Sequence, residues 1–328
     1  MISVHLLGPS NSQDALDYLR SRLSPQIRLT SGPDLPDPAD YQILISGHPQ
    51  REHVTASPNL QALVVPWAGI PDATRQLMAE FPGIAVHNLH HNAQPVAELA
   101  LALLLAAAKF VVPLDRSMRS GDWTPRYESS PSLLLQGKTA LILGYGAIGR
   151  RVARLCRGLG METIATRRHA SLPPERDEEG VLVAPAQALN DLLPEADALL
   201  VCLPRTPETD GLIGAPELAL LPSHAVLINV ARGPIVDEEA LYYALRDGTL
   251  YAAGLDVWYN YPSGEAARSH TPPSEYPFHE LENVVMSPHR GAASTETERL
   301  RMDHLAELLN TAARGEPMPN RVDLEAGY

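Results

Sequence analysis

The chain has 328 residues, a formal net charge of −13 and only two cysteines. That length exceeds one ordinary hydrophobic core, so two domains of unequal size are expected. The charge argues against nucleic acid or an anionic membrane as partner, and Cys156 and Cys202, far apart and without a C-x-x-C spacing, suggest neither a disulfide framework nor a thiolate metal site.

The first residues carry no basic segment followed by a long apolar one, so no signal peptide is read and a cytoplasmic location is expected. Residues 2–7 and 41–46 read as strands with a helix at about 14–23 between them, and Pro33, Pro36 and Pro38 make 31–40 a loop. Two further apolar runs, 60–65 and 84–86, complete a small α/β unit. Between them Pro66-Trp67-Ala68-Gly69-Ile70-Pro71 opens from a strand end into a loop, which is where open α/β sheets usually bind ligands; an ordinary connection is the alternative. His87, His90 and His91 have no carboxylate or thiol at a ligand spacing, so no metal is expected.

Pro95 suits the start of a helix, and 96–112 is nearly all apolar apart from Glu98 and Lys109. It is too short and too interrupted to span a bilayer. A helix apolar on most of its circumference is buried all round, either in a junction between domains or against a second subunit.

Residues 139–160 are the centre of the chain. Ala140-Leu141-Ile142-Leu143 is the apolar run of a strand buried on both faces, and Ile148, Val152, Leu155 and Leu159 recur at helical intervals. Between them Gly144-Tyr145-Gly146-Ala147-Ile148-Gly149 has the G-x-G-x-x-G spacing. Alone that spacing is weak. Between a buried strand and an amphipathic helix it points to a dinucleotide, with the pyrophosphate held by free N–H groups at the helix start. The next strand, 163–165, ends in Thr166-Arg167-Arg168, where an acidic residue would bind a ribose and arginines suit a 2′-phosphate; NADP is therefore favoured over NAD, with a solvated basic turn as the alternative.

Further buried strands at 198–203, 225–230, 252–257 and 284–286 end in polar or turn-forming groups: Leu203-Pro204, Val230-Ala231-Arg232-Gly233, Asp256 and Ser287-Pro288-His289. Helices at about 238–246 and 296–313 follow, so the pattern is alternating α and β on a parallel sheet.

The succession GYGAIG, NVARGPIVDEEAL, AGLDVW and SPH, from about Ala93 to Ala292, resembles the D-isomer-specific 2-hydroxyacid dehydrogenase family. The resemblance implies a two-domain α/β fold, in which a Rossmann-like parallel-sheet cofactor domain (99–292) is inserted into a smaller flavodoxin-like substrate domain (1–98 and 293–328). It also implies a homodimer with the 95–112 helix near its interface, and interconversion of a 2-keto acid and a D-2-hydroxy acid with NADP or NAD. By resemblance Arg232 holds the substrate, His289 is the general acid and base, and Asp256 lies on the nicotinamide side, with a structural hydrogen-bonding role as its alternative. Ala68 and Gly69 would offer backbone N–H groups to the substrate carboxylate, although Pro71 stands where the family usually has a second glycine. Tyr261 stands where the family carries the glutamate that partners the histidine. A phenol gives the charged imidazole little help, so a dinucleotide-sensing regulator and a formate-type hydride-donor enzyme remain alternatives.

Overall fold

The structure is a computed structural model that describes residues 1–8, 13–171 and 173–326. The chain forms two compact units, Met1–Asn92 with Ala293–Tyr328, and Ala93–Ala292.

In the first unit the strands are β1 (Ile2–Leu7), β2 (Ile27–Gly32), β3 (Ile43–Ile45), β4 (Ala62–Val64) and β5 (Ala85–His87), with helices α1 (Gln13–Arg22), α2 (Arg51–Thr55) and α3 (Asp72–Ala79) between them. They pair in parallel in the order β2-β1-β3-β4-β5, the doubly wound arrangement of a flavodoxin-like sheet. The strand β2 begins ahead of the 31–40 loop; it lies at the sheet edge and is only half buried, so it lacks a continuous apolar run.

The second unit begins with α4 (Ala93–Ala108) and α5 (Val111–Arg119), then β6 (Thr139–Leu143), α6 (Ala147–Gly158), β7 (Glu162–Arg167), β8 (Glu175–Arg176) and β9 (Leu182–Pro185). It continues through α7 (Leu189–Leu192), β10 (Ala198–Val201), α8 (Ala215–Leu220), β11 (Val226–Asn229), α9 (Glu238–Arg246), β12 (Ala252–Leu255) and β13 (Val284–Met286). The sheet order is β13-β12-β11-β10-β6-β7-β9-β8, parallel except for the β8–β9 pair. The direction of winding reverses between β6 and β10, a switch point that opens a crevice at the strand ends.

The last helix, α10 (Thr297–Ala313), belongs to the first unit. It packs on α1, where Tyr18 donates to Asp303 Oδ1 at 2.8 Å, and it supplies Met302, Leu305 and Leu309 to the core.

The expected boundary at 98 would cut α4, which packs as one piece on its own sheet and on α6, so the division comes at Asn92 instead. Val96, Ala100, Leu103, Leu104 and Ala107 are buried against strand residues such as Ile142, Leu200 and Ile228. The approach is close because Gly254 carries no side chain: a Cβ there would stand 2.8 Å from Leu103 Cβ. The apolar run to 112 is also not one helix. It breaks at Phe110, whose φ of 52° is left-handed, and α5 leaves at 67° with no buried residue. Among the described residues no single helix is long and apolar enough to cross a membrane, and no group of three or more His, Cys, Asp or Glu is placed to hold a metal ion.

Candidate active site

The polar groups singled out in the second unit gather along one edge of its sheet, where β6, β10, β11, β12 and β13 end. At β6 each glycine meets a distinct requirement. Gly144 has φ 94°, and a Cβ on it would lie 2.9 Å from the Cys202 carbonyl oxygen, beside Leu203. Gly149 lies so close to Gly144 that a Cβ would approach its carbonyl oxygen to 1.9 Å, which lets α6 pack on β6. Gly146 precedes the first residue of α6, and a Cβ there would meet nothing within 4 Å. That open space lies at the start of a helix of 12 residues, where backbone N–H groups and the helix dipole suit a diphosphate. The cradle thus fits a dinucleotide, with Ala147 and Ile148 in the first turn.

The Tyr145 side chain is tied into its own unit. Its ring is buried, its hydroxyl donates to Asp177, and Arg150 stacks over it at 4.6 Å. Burial first, then the hydrogen bond to Asp177, push its pKa well above the ordinary range. Sequence reasoning missed Asp177, which comes 32 residues later from the β8–β9 turn. At the end of β7, Thr166 is buried and Arg167 and Arg168 are exposed. The Thr206 hydroxyl chiefly, and Arg168 to a lesser degree, hold the Glu208 carboxyl below its usual range.

At the end of β11 the buried Asn229 closes a turn around Arg232: its Nδ2 donates to the Arg232 carbonyl at 2.9 Å and its Oδ1 accepts from Ala231 N–H at 3.0 Å. Val230 and Ala231 are buried, and the exposed Arg232 guanidinium donates to the Ala231 carbonyl at 2.6 Å. Gly233 must be glycine, because a Cβ would lie 2.3 Å from the Trp258 carbonyl oxygen.

At the end of β12 the Asp256 carboxylate is almost fully buried. It accepts from Arg290 N–H at 2.8 Å, from Gly291 N–H at 2.8 Å and from the Ser287 hydroxyl. Its oxygens are therefore spent on the loop that carries His289, whose φ of 56° is left-handed. This arrangement builds the histidine loop.

His289 Nδ1 lies 2.9 Å from the Tyr261 hydroxyl, which also accepts from Trp258 N–H at 3.2 Å. Trp258 ties the corner together, since its indole N–H donates to the Ser287 carbonyl at 2.8 Å. Partial burial and then the positive charge of Arg232 lower the His289 pKa, which Asp256 offsets in part. Burial raises the Tyr261 pKa, while the Trp258 amide and Arg232 oppose that shift. The structure thus brings Arg232, Asp256, Tyr261 and His289 into one cluster. The hub role of Trp258 was not visible in the sequence, because its backbone N–H and its indole N–H bond to separate stretches of chain.

Ala68 and Gly69 belong to the other unit, in the loop after β4. Asn88 Nδ2 donates to the Ala68 carbonyl at 2.6 Å, and Trp67 packs over Gly47, where even a Cβ would come within 2.0 Å of the indole Cζ2. The loop is held in place despite Pro71. A groove of about 890 Å³ between α8 and α9 contains none of the site residues.

The model of the D-isomer specific 2-hydroxyacid dehydrogenase NAD-binding domain matches residues 101–291, more than half of the chain. A glyoxylate reductase from Aeropyrum pernix is 41% identical over 238 residues, covering 71% of this chain and 67% of that protein. A D-3-phosphoglycerate dehydrogenase from Archaeoglobus fulgidus is 31% identical over 326 residues, 97% of this chain but 59% of its own length. Among solved structures, a D-isomer specific 2-hydroxyacid dehydrogenase from Xanthobacter autotrophicus Py2, in complex with NADPH and MES, superimposes with a TM-score of 0.80 at 27% identity, covering 100% of this chain and 99% of that one. With a glycine cradle at the switch point, an arginine and a histidine at nearby strand ends and a family match across nearly all of the second unit, the chain belongs to the D-isomer-specific 2-hydroxyacid dehydrogenase family.

Proposed function

We propose that this chain interconverts a small 2-keto acid and its D-2-hydroxy acid, with NADP preferred to NAD, as a cytoplasmic homodimer. The observation that carries the reading is the cluster of Arg232, Tyr261 and His289 at adjacent strand ends, held by the buried Asp256. A bound reduced nicotinamide supplies the hydride that substrate C2 receives. The other duties fall to side chains of this protein. Arg232 presents a planar fork to the substrate carboxylate, and its charge draws electron density toward the carbonyl oxygen. His289 holds the proton that this oxygen needs, and Asp256 keeps the histidine loop in its left-handed turn.

The backbone from Gly144 to Gly149 would hold the diphosphate, and Thr166, Leu203, Pro204, Val230 and Ala231, at the neighbouring strand ends, would hold the rest of the dinucleotide. Arg167 and Arg168 would take the 2′-phosphate; in the first unit Ala68 and Gly69 carry backbone N–H groups of the kind that bind a carboxylate. Glyoxylate is the first substrate to try, since the Aeropyrum relative is named for it. The dimer reading draws on Val112, Met118, Trp123, Tyr127 and Leu134, all large apolar side chains exposed in the stretch from α5 onward. The hydrogen bond between Tyr261 and His289 supports an enzyme over a regulator that only senses a dinucleotide, because sensing needs no partner for the histidine.

The test is NADPH oxidation with glyoxylate, hydroxypyruvate, pyruvate and phenylpyruvate. Turnover of at least one is expected, and Arg232→Lys should lower kcat/KM by roughly 10²-fold through loss of the two-pronged contact. No oxidation with any of the four sinks the reading. For the cofactor, Arg167→Ala with Arg168→Ala should reduce the NADPH preference about tenfold or more, since each charged hydrogen bond contributes roughly 1.5 to 3 kcal/mol before desolvation. An NADH preference in the unaltered protein would reverse this assignment.

A further inference from the structure

The Tyr261 hydroxyl has one proton to give, and two neighbours decide where it goes. Trp258 N–H can only donate, and it points at the phenol oxygen from 3.2 Å. His289 Nδ1, 2.9 Å away, can donate or accept. With the phenol oxygen already accepting from an amide, the complementary arrangement is for the phenol O–H to donate to Nδ1. The imidazole is then the tautomer with its proton on Nε2.

We propose that Tyr261 fixes His289 as the Nε2–H tautomer and refills it, so that the proton reaching the substrate oxygen is replaced on the ring by the phenol proton. This rests on the reading of the site as a 2-keto acid reductase and specifies its proton path. As hydride from the reduced nicotinamide bonds to C2, the carbonyl π pair moves onto oxygen. That oxygen takes the proton from Nε2, and Nδ1 takes the proton from the Tyr261 hydroxyl. The ring ends neutral and the charge rests on the phenolate, which keeps the Trp258 N–H bond and stands in the field of Arg232. His289 is exposed, so once product leaves Nε2 takes a proton from solvent while Nδ1 returns its own to the phenolate, which restores the resting tautomer. Oxidation runs the same path backward. Tyr261 is a positioning residue, since it acts through the ring of His289.

The charged groups acting on the pair are Arg232 and Asp256, which bear on both members. They oppose each other. Partial burial together with Arg232 disfavours the imidazolium, so a site relying on the charged ring would lose reduction as pH rises through neutrality. Refilling from a phenol removes that dependence.

The experiment compares pH profiles of kcat and KM for reduction in wild type, Tyr261→Phe and Tyr261→Glu, and records ring-nitrogen NMR of His289, assigned with His289→Gln. Phenylalanine keeps the ring and its packing. The wild-type kcat should hold level between about pH 6.5 and 8.5, whereas Tyr261→Phe should fall about tenfold per unit over that range, reaching roughly a 10²-fold deficit with KM little changed. Tyr261→Glu should restore part of the rate and move the falling limb to higher pH. In wild type Nε2 should carry the proton and Nδ1 should be a bare acceptor. A protonated Nδ1, or a Tyr261→Phe profile that superimposes on wild type, overturns the proposal. If no 2-keto acid is reduced at all, the functional reading fails, while the nitrogen spectrum still decides the tautomer on its own.

Discussion

Both oxygens of the Asp256 carboxylate are taken by the loop of residues 287–291, so one negative charge holds the loop and also stands beside His289. Asp256→Asn replaces one acceptor with an NH₂ that faces a backbone N–H. The expected result is a loss of about 1–3 kcal/mol, measured by urea unfolding. A further drop in the His289 pKa should accompany it, seen in the ring-nitrogen NMR titration of His289. An asparagine variant with unchanged stability and profile would show that the loop holds itself. A second consequence at this scale belongs to His91, whose Nδ1 is buried without a partner. Burial first, then Arg301, His304 and His90, bring its pKa down from the ordinary 6.5 to about 4. The folded state therefore resists a proton that the unfolded chain accepts. Stability is full above about pH 6.5 and is lost as pH falls toward 4, by up to about 3 kcal/mol. His5 and His87 are shifted in the same direction. Unfolding midpoints at pH 7.5 and pH 5 should draw together in His91→Leu, and equal slopes in the two proteins would remove His91 from this role.

The helices α4 and α5 show how a composition pattern can be right about burial and wrong about shape. The apolar run to 112 contains a left-handed Phe110, and the chain beyond it turns outward, so the buried and the exposed apolar residues belong to different helices. Tests of the dimer must respect that break. Leu104→Asp puts a charge into the core of its own unit and should unfold it, whatever the oligomeric state. Met118→Asp or Tyr127→Asp alters side chains that are 47% and 81% exposed and should release folded monomers, read by sedimentation; wild-type protein that sediments as a monomer would end the dimer reading. The strands were mostly legible because parallel strands covered on both faces must be short apolar runs, as β6, β10 and β11 are. The edge strand β2 and the β8–β9 pair were not, since half-covered strands carry a mixed pattern. The site was legible where a residue type has few other uses at a strand end, as with Arg232 and His289. The bond between Tyr145 and Asp177, the grip of Asp256 on its loop and the Trp258 amide were hidden, because each joins distant stretches or uses the backbone.

At the scale of the molecule, NADPH should stabilise the second unit selectively. At about 100 times its Kd it should add roughly 2.7 kcal/mol, with slowed hydrogen exchange concentrated in β6, α6 and β10. Protection spread evenly over both units would point to a different binding place. The first unit is discontinuous in sequence: α1 and α10 pack together, and Ser24 N–H bonds to Asn310 Oδ1 at 2.7 Å across 286 residues. The second unit is one unbroken segment and can close its core as it leaves the ribosome. The sheet of the first unit cannot, because the residues that cover one of its faces are translated only after the whole second unit. Until α10 emerges the strand faces bearing Val4, Leu6, Ile43 and Val64 must therefore wait for their full cover. Cellular yield should then respond more sharply to chaperone supply and to substitutions in α10 than the equilibrium stability of the finished protein would suggest.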